Sequence, residues 1–121
     1  MIAVDTSKID EKVVLVVDDI FENLLILKRM LEKEGYKPLT ASSAKDALEM
    51  VKVKVPQLIL LDVYMPEMDG HEVIKTLKAD AEYVDIPVVF LTSDAEENTE
   101  IQGFSEGAID FLRKPFGKGL A

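Results

Sequence analysis

Three short runs of this chain are apolar at every position, and they limit the folds that it can adopt. The runs cover residues 13–17, 58–61 and 88–91 and are rich in Val, Ile and Leu. A strand that is apolar on both sides must be covered on both faces, as in the parallel sheet of an α/β protein. Helical patterns lie between the runs, so the sequence predicts alternating strands and helices around one sheet.

The helical patterns have recognisable faces and ends. The apolar face of the first predicted helix consists of Ile20, Leu24, Leu27 and Leu31. The apolar face of the second consists of Ala44, Ala47, Leu48 and Val51. Gly35 follows the first helix as a C-terminal stop, and Ser43 with Asp46 forms a capping pair at the start of the second.

The remaining segments complete the alternation. Residues 36–40 are more mixed, as expected of an edge strand, and a third helix is expected over residues 71–78. Residues 95–106 give a weaker helical pattern because Gly103 interrupts it, and residues 108–112 predict a fifth strand. Right-handed crossovers then place helices on both faces of the sheet, which is a doubly wound α/β fold.

The length of the chain predicts a single domain. A chain of 121 residues with 48% hydrophobic content can bury a proper core. Residues 1–12 are polar and aperiodic and are expected to form a flexible lead-in, so the domain is expected over residues 13–116. Residues 117–121 are too few and too rich in Gly for a helix that would cover the fifth strand.

The composition excludes several classes of function. A formal net charge of -9 and a pI near 4.6 argue against binding to nucleic acid or to an anionic membrane. The absence of Cys excludes a disulfide framework and a thiolate site. No apolar stretch is long enough to span a membrane, and the start of the chain does not resemble a signal peptide. These features predict a cytoplasmic protein with protein partners.

Most of the predicted strands stop at a residue that can bind a cation or a phosphate. Asp18 and Asp19 follow the first strand, Asp62 the third and Thr92 the fourth, and Lys114 comes shortly after the fifth. In an open parallel sheet the ligand crevice lies at the carboxyl ends of the strands, so these side chains should converge. Hard oxygen ligands with no His or Cys beside them favour Mg²⁺ over zinc, and the whole set suggests phosphoryl transfer.

Each of these residues also has a purely structural explanation. One of the two adjacent acids could cap the following helix, although the other would then add repulsion that needs a cation to offset it. Asp62 could form an Asx-turn, Thr92 is a common strand residue, and Lys114 would ordinarily be solvated. A carboxylate beside a metal can attack phosphorus, so Asp62 is the candidate nucleophile, with Thr92 and Lys114 as donors to the phosphoryl oxygens.

Other polar and sulfur-containing side chains near this crevice are interpreted structurally. Asp69 and Gly70 are typical of a turn and cap before the third helix. His71 is the only His and has no second ligand at metal-binding spacing, so it is expected to be exposed in the first turn of that helix. Met65 and Met68 are expected to pack rather than to bind a metal.

Together these residues resemble the response-regulator receiver domain of two-component signalling. The resemblance rests on the acid pair, on LLDVYMPEMDG at 60–70, on LTS at 91–93 and on GAIDFLRKPF at 107–116. The motifs occur in order and at domain-like spacing across residues 12–116. The resemblance implies a (βα)5-type three-layer sandwich with a five-stranded parallel sheet in order 2-1-3-4-5, from which the fifth helix is missing or truncated.

The resemblance also implies a role for each site residue. Asp62 would accept a phosphoryl group from a phosphohistidine on a histidine kinase or a histidine phosphotransfer protein. The ligands of Mg²⁺ would be Asp19, Asp62, the backbone carbonyl of Tyr64 and, through water, Asp18. Thr92 and Lys114 would contact the phosphoryl oxygens. Such a domain is a signalling phosphoprotein rather than a turnover enzyme, although it assists its own phosphorylation and dephosphorylation.

A conformational switch is part of the same resemblance. In the family, phosphorylation draws the Thr inward and lets an aromatic residue on the fifth strand turn inward behind it. Thr92 and Phe111 hold these positions here. Phe111 has no hydroxyl, so its inward state would rest on apolar burial alone, and the switch would be a shift in population between two states.

Three other functional classes stay open from the sequence. A Mg²⁺-dependent phosphohydrolase can also use an Asp nucleophile, but it typically needs a second acid two residues later, where this chain has Tyr64. A flavodoxin-like binding module would need a phosphate loop rich in Ser, Thr and Gly after the first strand. An interaction domain that has lost signalling would not be expected to keep the complete set of site residues.

The short C-terminal tail departs from the family pattern. Family members continue into a fifth helix that often forms a dimer or output surface. Three explanations are open: an artificial end to the chain, a fragment of a larger regulator, or a partner chain, such as a second copy, that covers this flank. The sequence does not identify the kinase, the output domain or the lifetime of the phosphoryl group.

Overall fold

The first predicted strand lies inside a fully parallel sheet. The computed structural model describes residues 12–92 and 104–113. The strands of the described part are β1 (Val13–Val17), β2 (Lys37–Ala41), β3 (Leu58–Asp62), β4 (Val88–Thr92) and β5 (Asp110–Arg113). Their order across the sheet is β2-β1-β3-β4-β5, and each neighbouring pair is parallel. The predicted sheet, with its order 2-1-3-4-5, is therefore confirmed.

Helices cover this sheet on both faces. They are α1 (Phe21–Lys33), α2 (Ala44–Val53) and α3 (Gly70–Lys78), and residues 104–106 are also helical. Alternate residues of β1 explain the two layers, because Val14 and Val16 pack in the core under α1 while Leu15 and Val17 pack in the core under α2 and α3. The three-layer α/β architecture predicted from the apolar runs is confirmed.

The ends of the elements agree with the local sequence signals. Ser43 caps α2, and its side chain accepts a hydrogen bond from the backbone N–H of Asp46 at 3.1 Å. Gly35 follows α1 with a φ of 89°, a left-handed conformation that Gly adopts at little cost after a helix. The structure extends two strands by one residue beyond the apolar runs, so that Asp62 and Thr92 are the last residues of β3 and β4.

One predicted helix-face residue is placed differently in the structure. Ile20 was expected on the apolar face of the first helix, but it is the N-cap of α1 and is 48% exposed. Its backbone is extended, with a φ of -98° and a ψ of 113°, so its side chain does not follow the helical spacing. Leu24 and Leu27 are buried as expected.

Several predictions fall outside the described residues. They are the lead-in over residues 1–12 apart from Lys12, most of the weak fourth helix, the tail over residues 117–121 and the missing fifth helix. Among the described residues, no helix combines the length and the apolar character that crossing a membrane requires.

Lys78 holds the connection between α3 and β4. Its ammonium donates hydrogen bonds to the backbone carbonyls of Val84 and Ile86, both at 2.8 Å. Burial lowers the pKa of Lys78, and the charge of Asp85 partly opposes that shift. A single side chain at the end of α3 therefore fixes two carbonyls that precede the strand carrying Thr92.

Replacing Lys78 should destabilise the domain. We expect Lys78→Met to lower the free energy of unfolding by about 1–2 kcal/mol, because it removes both donors and leaves the carbonyl of buried Ile86 unpaired. Urea unfolding measures the change, and Lys45→Met, on the exposed side of α2, is the matched control. Equal losses of unfolding free energy in Lys78→Met and Lys45→Met would contradict the role assigned to the hydrogen bonds of Lys78.

The lowered pKa predicts the sign of a pH effect as well. Between the lowered pKa of folded Lys78 and its ordinary value, the unfolded chain binds more protons than the folded chain. The contribution of Lys78 to stability should therefore increase as the pH rises through this alkaline window. Lys78→Met should remove that increase from the pH dependence of the unfolding free energy.

Candidate functional site

Three carboxylates meet at the carboxyl edge of the sheet. Oxygen atoms of Asp18, Asp19 and Asp62 all lie within 4.8 Å of one another. Asp18 is 0% exposed and Asp62 is 3% exposed, whereas Asp19 is exposed. Like charges about 4 Å apart repel by about 4 kcal/mol at an effective dielectric constant of about 20, so this cluster is electrostatically costly without a cation.

Strand pairing produces this convergence. β1 and β3 pair in register, with Val17 opposite Leu61, so the next residues along the chain are Asp18, directly after β1, and Asp62, the last residue of β3. The backbone N–H of Asp18 also donates to the carbonyl of Ala41 at 3.1 Å, which extends the pairing with β2 by one step. The apolar register of the sheet therefore determines where the acids lie.

Neither acid of the pair caps α1. The N-cap residue is Ile20, and no side chain makes a cap hydrogen bond there. Asp18 instead accepts the backbone N–H of Ile20 on Oδ1 at 2.9 Å and the side-chain amide of Asn23 on Oδ2 at 3.1 Å. The structural explanation of the acid pair as a helix cap is therefore wrong, which favours the metal-binding interpretation.

Asn23 was not identified from the sequence. Its side chain comes from the first turn of α1 and reaches back across the strand-to-helix connection to Asp18. The only signal in the sequence was an amide side chain placed a few residues after the acid pair. The spacing between Asn23 and the acid pair is not distinctive. Which side chain of α1 can reach Asp18 depends on the path of the chain between β1 and α1, which the sequence does not give.

The loop after β3 fixes the position of Asp62. Oδ1 of Asp62 accepts the backbone N–H of Tyr64 at 3.3 Å, so the Asx-turn considered as a structural explanation of Asp62 is present. The loop closes where the N–H of Gly70 donates to the carbonyl of Val63 at 2.7 Å. A Cβ at Gly70 would lie 2.5 Å from the carbonyl oxygen of Asp62, so only Gly allows α3 to begin this close to the nucleophile candidate.

Local caps and packing account for the other residues of this loop. Asp69 is the N-cap of α3, and its side chain accepts the N–H of Glu72 at 3.1 Å, as predicted. Met65 is buried in the core, and Met68 packs against it, so both are packing residues as expected. Glu67 has a φ of 70°, a left-handed conformation that is unusual for a residue other than Gly.

Thr92 ends the neighbouring strand with a buried hydroxyl that has no partner among the described residues. The residue is 1% exposed, and its Oγ1 has no hydrogen-bond partner within residues 12–92 and 104–113. Asp62 pairs with Leu91 in the sheet, so Thr92 lies one step further along the same edge. A buried hydroxyl without a partner is costly, and it is suited to a ligand that can accept a hydrogen bond.

Phe111 lies between the buried core and the surface. It is partly buried, and it is paired with Phe90 across β4 and β5. Its ring centroid is 5.7 Å from that of buried Phe90 and 4.8 Å from that of Phe104, which is 52% exposed. The ring therefore contacts both an interior and an exterior aromatic side chain.

The prediction that His71 is exposed is wrong. Its side chain is only 12% exposed, its ring lies 5.5 Å from that of Phe90, and its Nδ1 pairs with Oε1 of Glu106. Glu106 is 8% exposed, and Lys75 Nζ lies 3.4 Å from its other oxygen. Since His71 and Glu106 are 35 residues apart, no local pattern could have shown the pair.

One predicted site residue lies outside the described part of the chain. Lys114 follows β5 by one residue, and the structure describes that strand only to Arg113. Its expected position at the carboxyl edge beside Thr92 therefore stays a prediction. The structure brings Asp18, Asp19 and Asp62 together as predicted.

The chain matches a known family over most of its length. Residues 14–120 match the sequence profile of the Response regulator receiver domain. The chain therefore belongs to the response-regulator receiver family. The resemblance noted in the sequence is confirmed, and the domain is a signalling domain of two-component systems.

The relatives of known sequence include proteins much longer than this chain and one of similar length. The chain is 45% identical over 102 residues to the response regulator PleD of Caulobacter vibrioides, covering 84% of this chain but 22% of PleD. It is 41% identical to the transcriptional regulatory protein YvrH of Bacillus subtilis, of which it covers 43%. It is 34% identical to protein PilH of Pseudomonas aeruginosa, and the match covers 84% of this chain and 84% of PilH. The chain thus spans less than half of the first two relatives.

Solved structures share the same fold. The chemotaxis protein CheY4 of Vibrio cholerae superimposes with a TM-score of 0.83 at 30% identity, covering 89% of this chain and 90% of CheY4. The N-terminal domain of a response regulator receiver protein from Methanoculleus marisnigri gives a TM-score of 0.80 at 35% identity, covering 89% of this chain and 88% of that domain. The receiver fold therefore holds across the described sheet and helices.

The buried His71–Glu106 pair should contribute strongly to stability. We expect His71→Ala to lower the free energy of unfolding by about 2–4 kcal/mol, because it removes the ring that pairs with the buried carboxylate of Glu106. Glu106→Gln should cost less, since a neutral amide can still accept from the ring. Urea unfolding of His71→Ala, of Glu106→Gln and of the variant that carries both changes measures these losses of unfolding free energy.

The double variant gives the sharper comparison. Because Glu106→Gln removes the buried charge, His71→Ala with Glu106→Gln should be more stable than His71→Ala alone. Strictly additive losses would show that the two side chains do not form the stabilising pair seen in the structure.

Proposed function

We propose that the chain is a phosphoacceptor switch in which Asp62 receives a phosphoryl group from a phosphohistidine on a partner protein. The observation that carries this proposal is the convergence of three carboxylates, two of them buried, at the edge of a receiver-family sheet. The partner would be a histidine kinase or a histidine phosphotransfer protein. The domain would act in the cytoplasm as a switch rather than as a turnover enzyme.

In the proposed step, an oxygen of Asp62 attacks the phosphorus atom. The bond between phosphorus and the imidazole nitrogen breaks, the electron pair goes to that nitrogen, and an acyl phosphate forms on Asp62. Later attack by water returns the carboxylate and releases inorganic phosphate. The Asx-turn to Tyr64 and the close approach of Gly70 hold Asp62 in place for both steps.

The residues present fit a magnesium site. Its proposed ligands are Asp18 through water, Asp19, Asp62 and the backbone carbonyl of Tyr64. All are hard oxygen donors, which suit Mg²⁺, and the carboxylates already lie within 4.8 Å of one another. When bound, Mg²⁺ would offset the charge of the carboxylates and of the arriving phosphoryl group.

Thr92 and Lys114 are the proposed donors to the phosphoryl oxygens. Support for Thr92 is its buried hydroxyl, which lacks a partner in the described residues and would gain one on Asp62 phosphorylation. Inward movement of Thr92 would make room for the ring of Phe111, which already contacts buried Phe90. The surface formed by β4, β5 and the helix that ends at Glu106 would change between the two states.

The partner that reads the switch is proposed by class only. YvrH is a transcriptional regulatory protein and is longer than this chain, whereas PilH has nearly the same length. The output is therefore either an attached domain or a separate protein. The proposed readout surface includes exposed Phe104, Ile109 and Leu112 beside the switch residue.

Phosphorylation of Asp62 is directly testable. Incubation with acetyl phosphate and magnesium chloride should add the mass of one phosphoryl group to the wild type, and Asp62→Asn should gain none. Asp80→Asn, an exposed acid in the turn after α3, is the matched control and should be labelled like the wild type. An adduct that persists in Asp62→Asn, or none in the wild type, would contradict the proposal.

The unsatisfied hydroxyl of Thr92 gives a second prediction. We expect Thr92→Val to raise the free energy of unfolding by about 1 kcal/mol, because it removes a buried polar group that has no partner in the described residues. The variant should still accept a phosphoryl group, but the NMR signals of the Phe111 ring should no longer shift on phosphorylation. Thr40→Val, on exposed β2, is the control.

A Phe111 shift that survives in Thr92→Val would show that the hydroxyl does not link phosphorylation to the aromatic ring. A loss of stability in that variant would show instead that the hydroxyl is satisfied before phosphorylation. The NMR shifts of Phe111 therefore test the link between Thr92 and the aromatic ring. The unfolding free energy tests whether the hydroxyl of Thr92 has a partner before phosphorylation.

A further inference from the structure

The side chain of Asn23 is in a position to control one acid of the cluster. It projects from the first turn of α1, and its amide nitrogen donates to Oδ2 of Asp18 at 3.1 Å. The contact joins residues five positions apart, so ordinary helical spacing does not produce it. Because the backbone N–H of Asn23 donates separately to the carbonyl of Ile20, the side-chain contact is not part of the helix start itself.

Protein donors hold the carboxylate of Asp18 in place. Asp18 is 0% exposed, whereas Asp19 is exposed, so the position of the Asp18 carboxylate depends more on neighbouring protein groups. The N–H of Ile20 holds Oδ1, and the amide of Asn23 holds Oδ2. These two donors bind different oxygens, so both contribute to fixing the rotation of the carboxylate plane.

The chemical nature of the donor is also important. The amide of Asn23 is neutral, so it stabilises the charge of Asp18 without cancelling it. A Lys or Arg at the same place would compete with a cation for the carboxylate. The pair therefore holds Asp18 beside Asp19 and Asp62, with one carboxylate oxygen from each of the three residues within 4.8 Å of the others.

We propose that Asn23 is a positioning residue for the metal-binding cluster and raises its affinity for Mg²⁺ by orienting Asp18. The inference rests on the magnesium site of the proposed function. Asn23 acts through Asp18 and is not itself a ligand. Partners that orient metal-binding carboxylates commonly change metal affinity by about 10- to 100-fold when they are removed.

A magnesium titration followed by amide NMR signals of the full chain tests this inference. Removing the amide in Asn23→Ala should weaken the apparent affinity about tenfold, at the low end of that range, because Ile20 still holds the other oxygen. Asn23→Ser, whose side chain is too short to span the same distance, should behave alike and provides a second variant if Asn23→Ala folds poorly. Thr76→Ala, a neutral change at an exposed position of α3, is the control and should bind as the wild type does.

A double-mutant cycle separates positioning from a general effect on the helix. In an Asp18→Ala background, adding Asn23→Ala should change the affinity less than about twofold, because no carboxylate is left to orient. An equal tenfold loss in that background would overturn the inference and assign Asn23 a structural role. Wild-type affinity in Asn23→Ala would also overturn it.

The proposed magnesium site can fail independently of this inference. If the wild type shows no magnesium-dependent shifts, then the site itself is absent and Asn23 has nothing to position. If the wild type binds Mg²⁺ and both Asn23 variants bind it with the affinity of the wild type, then the magnesium site is present and only the role proposed for Asn23 is wrong.

Discussion

The parallel pairing of β1 with β3 places buried negative charge at one edge of the sheet, and the rest of the molecule is arranged around that charge. Val17 opposite Leu61 sets Asp18 beside Asp62, and Asp19 completes a cluster in which one carboxylate oxygen from each residue lies within 4.8 Å of the others. Both strands are apolar and covered on two faces, so the register cannot slip without exposing the core. Hydrophobic packing thereby maintains an arrangement that electrostatics alone would oppose.

Three neutral donors among the described residues contact two acids of this cluster and help to orient them. Asp18 is held by the N–H of Ile20 and by the amide of Asn23, and Asp62 is held by the N–H of Tyr64. In the proposed function, Mg²⁺ and a phosphoryl group complete these interactions, and the hydroxyl of Thr92 provides a further donor. In the same proposal, the aromatic contact of Phe111 with Phe90 would link the phosphorylation site to the surface.

Local patterns predicted the sheet and the acids, whereas contacts between distant elements could not be predicted. The continuous apolar runs were enough to place Asp62 and Thr92 at strand ends, because a parallel sheet brings such ends together. The pair between His71 and Glu106 depends on how α3 packs beside a segment 35 residues later, so its burial was missed. The contact of Asn23 was missed for a related reason, since it depends on the path of one connection.

Urea unfolding with and without magnesium chloride, at equal ionic strength, tests most directly whether the buried acids form a cation-dependent site. The account predicts that Mg²⁺ raises the free energy of unfolding of the wild type, because only the folded chain assembles the cluster. It also predicts that Asp62→Asn is more stable than the wild type without Mg²⁺ and responds less to it, because one repelling charge is gone. A wild type unaffected by Mg²⁺, together with an Asp62→Asn variant that is less stable, would contradict it.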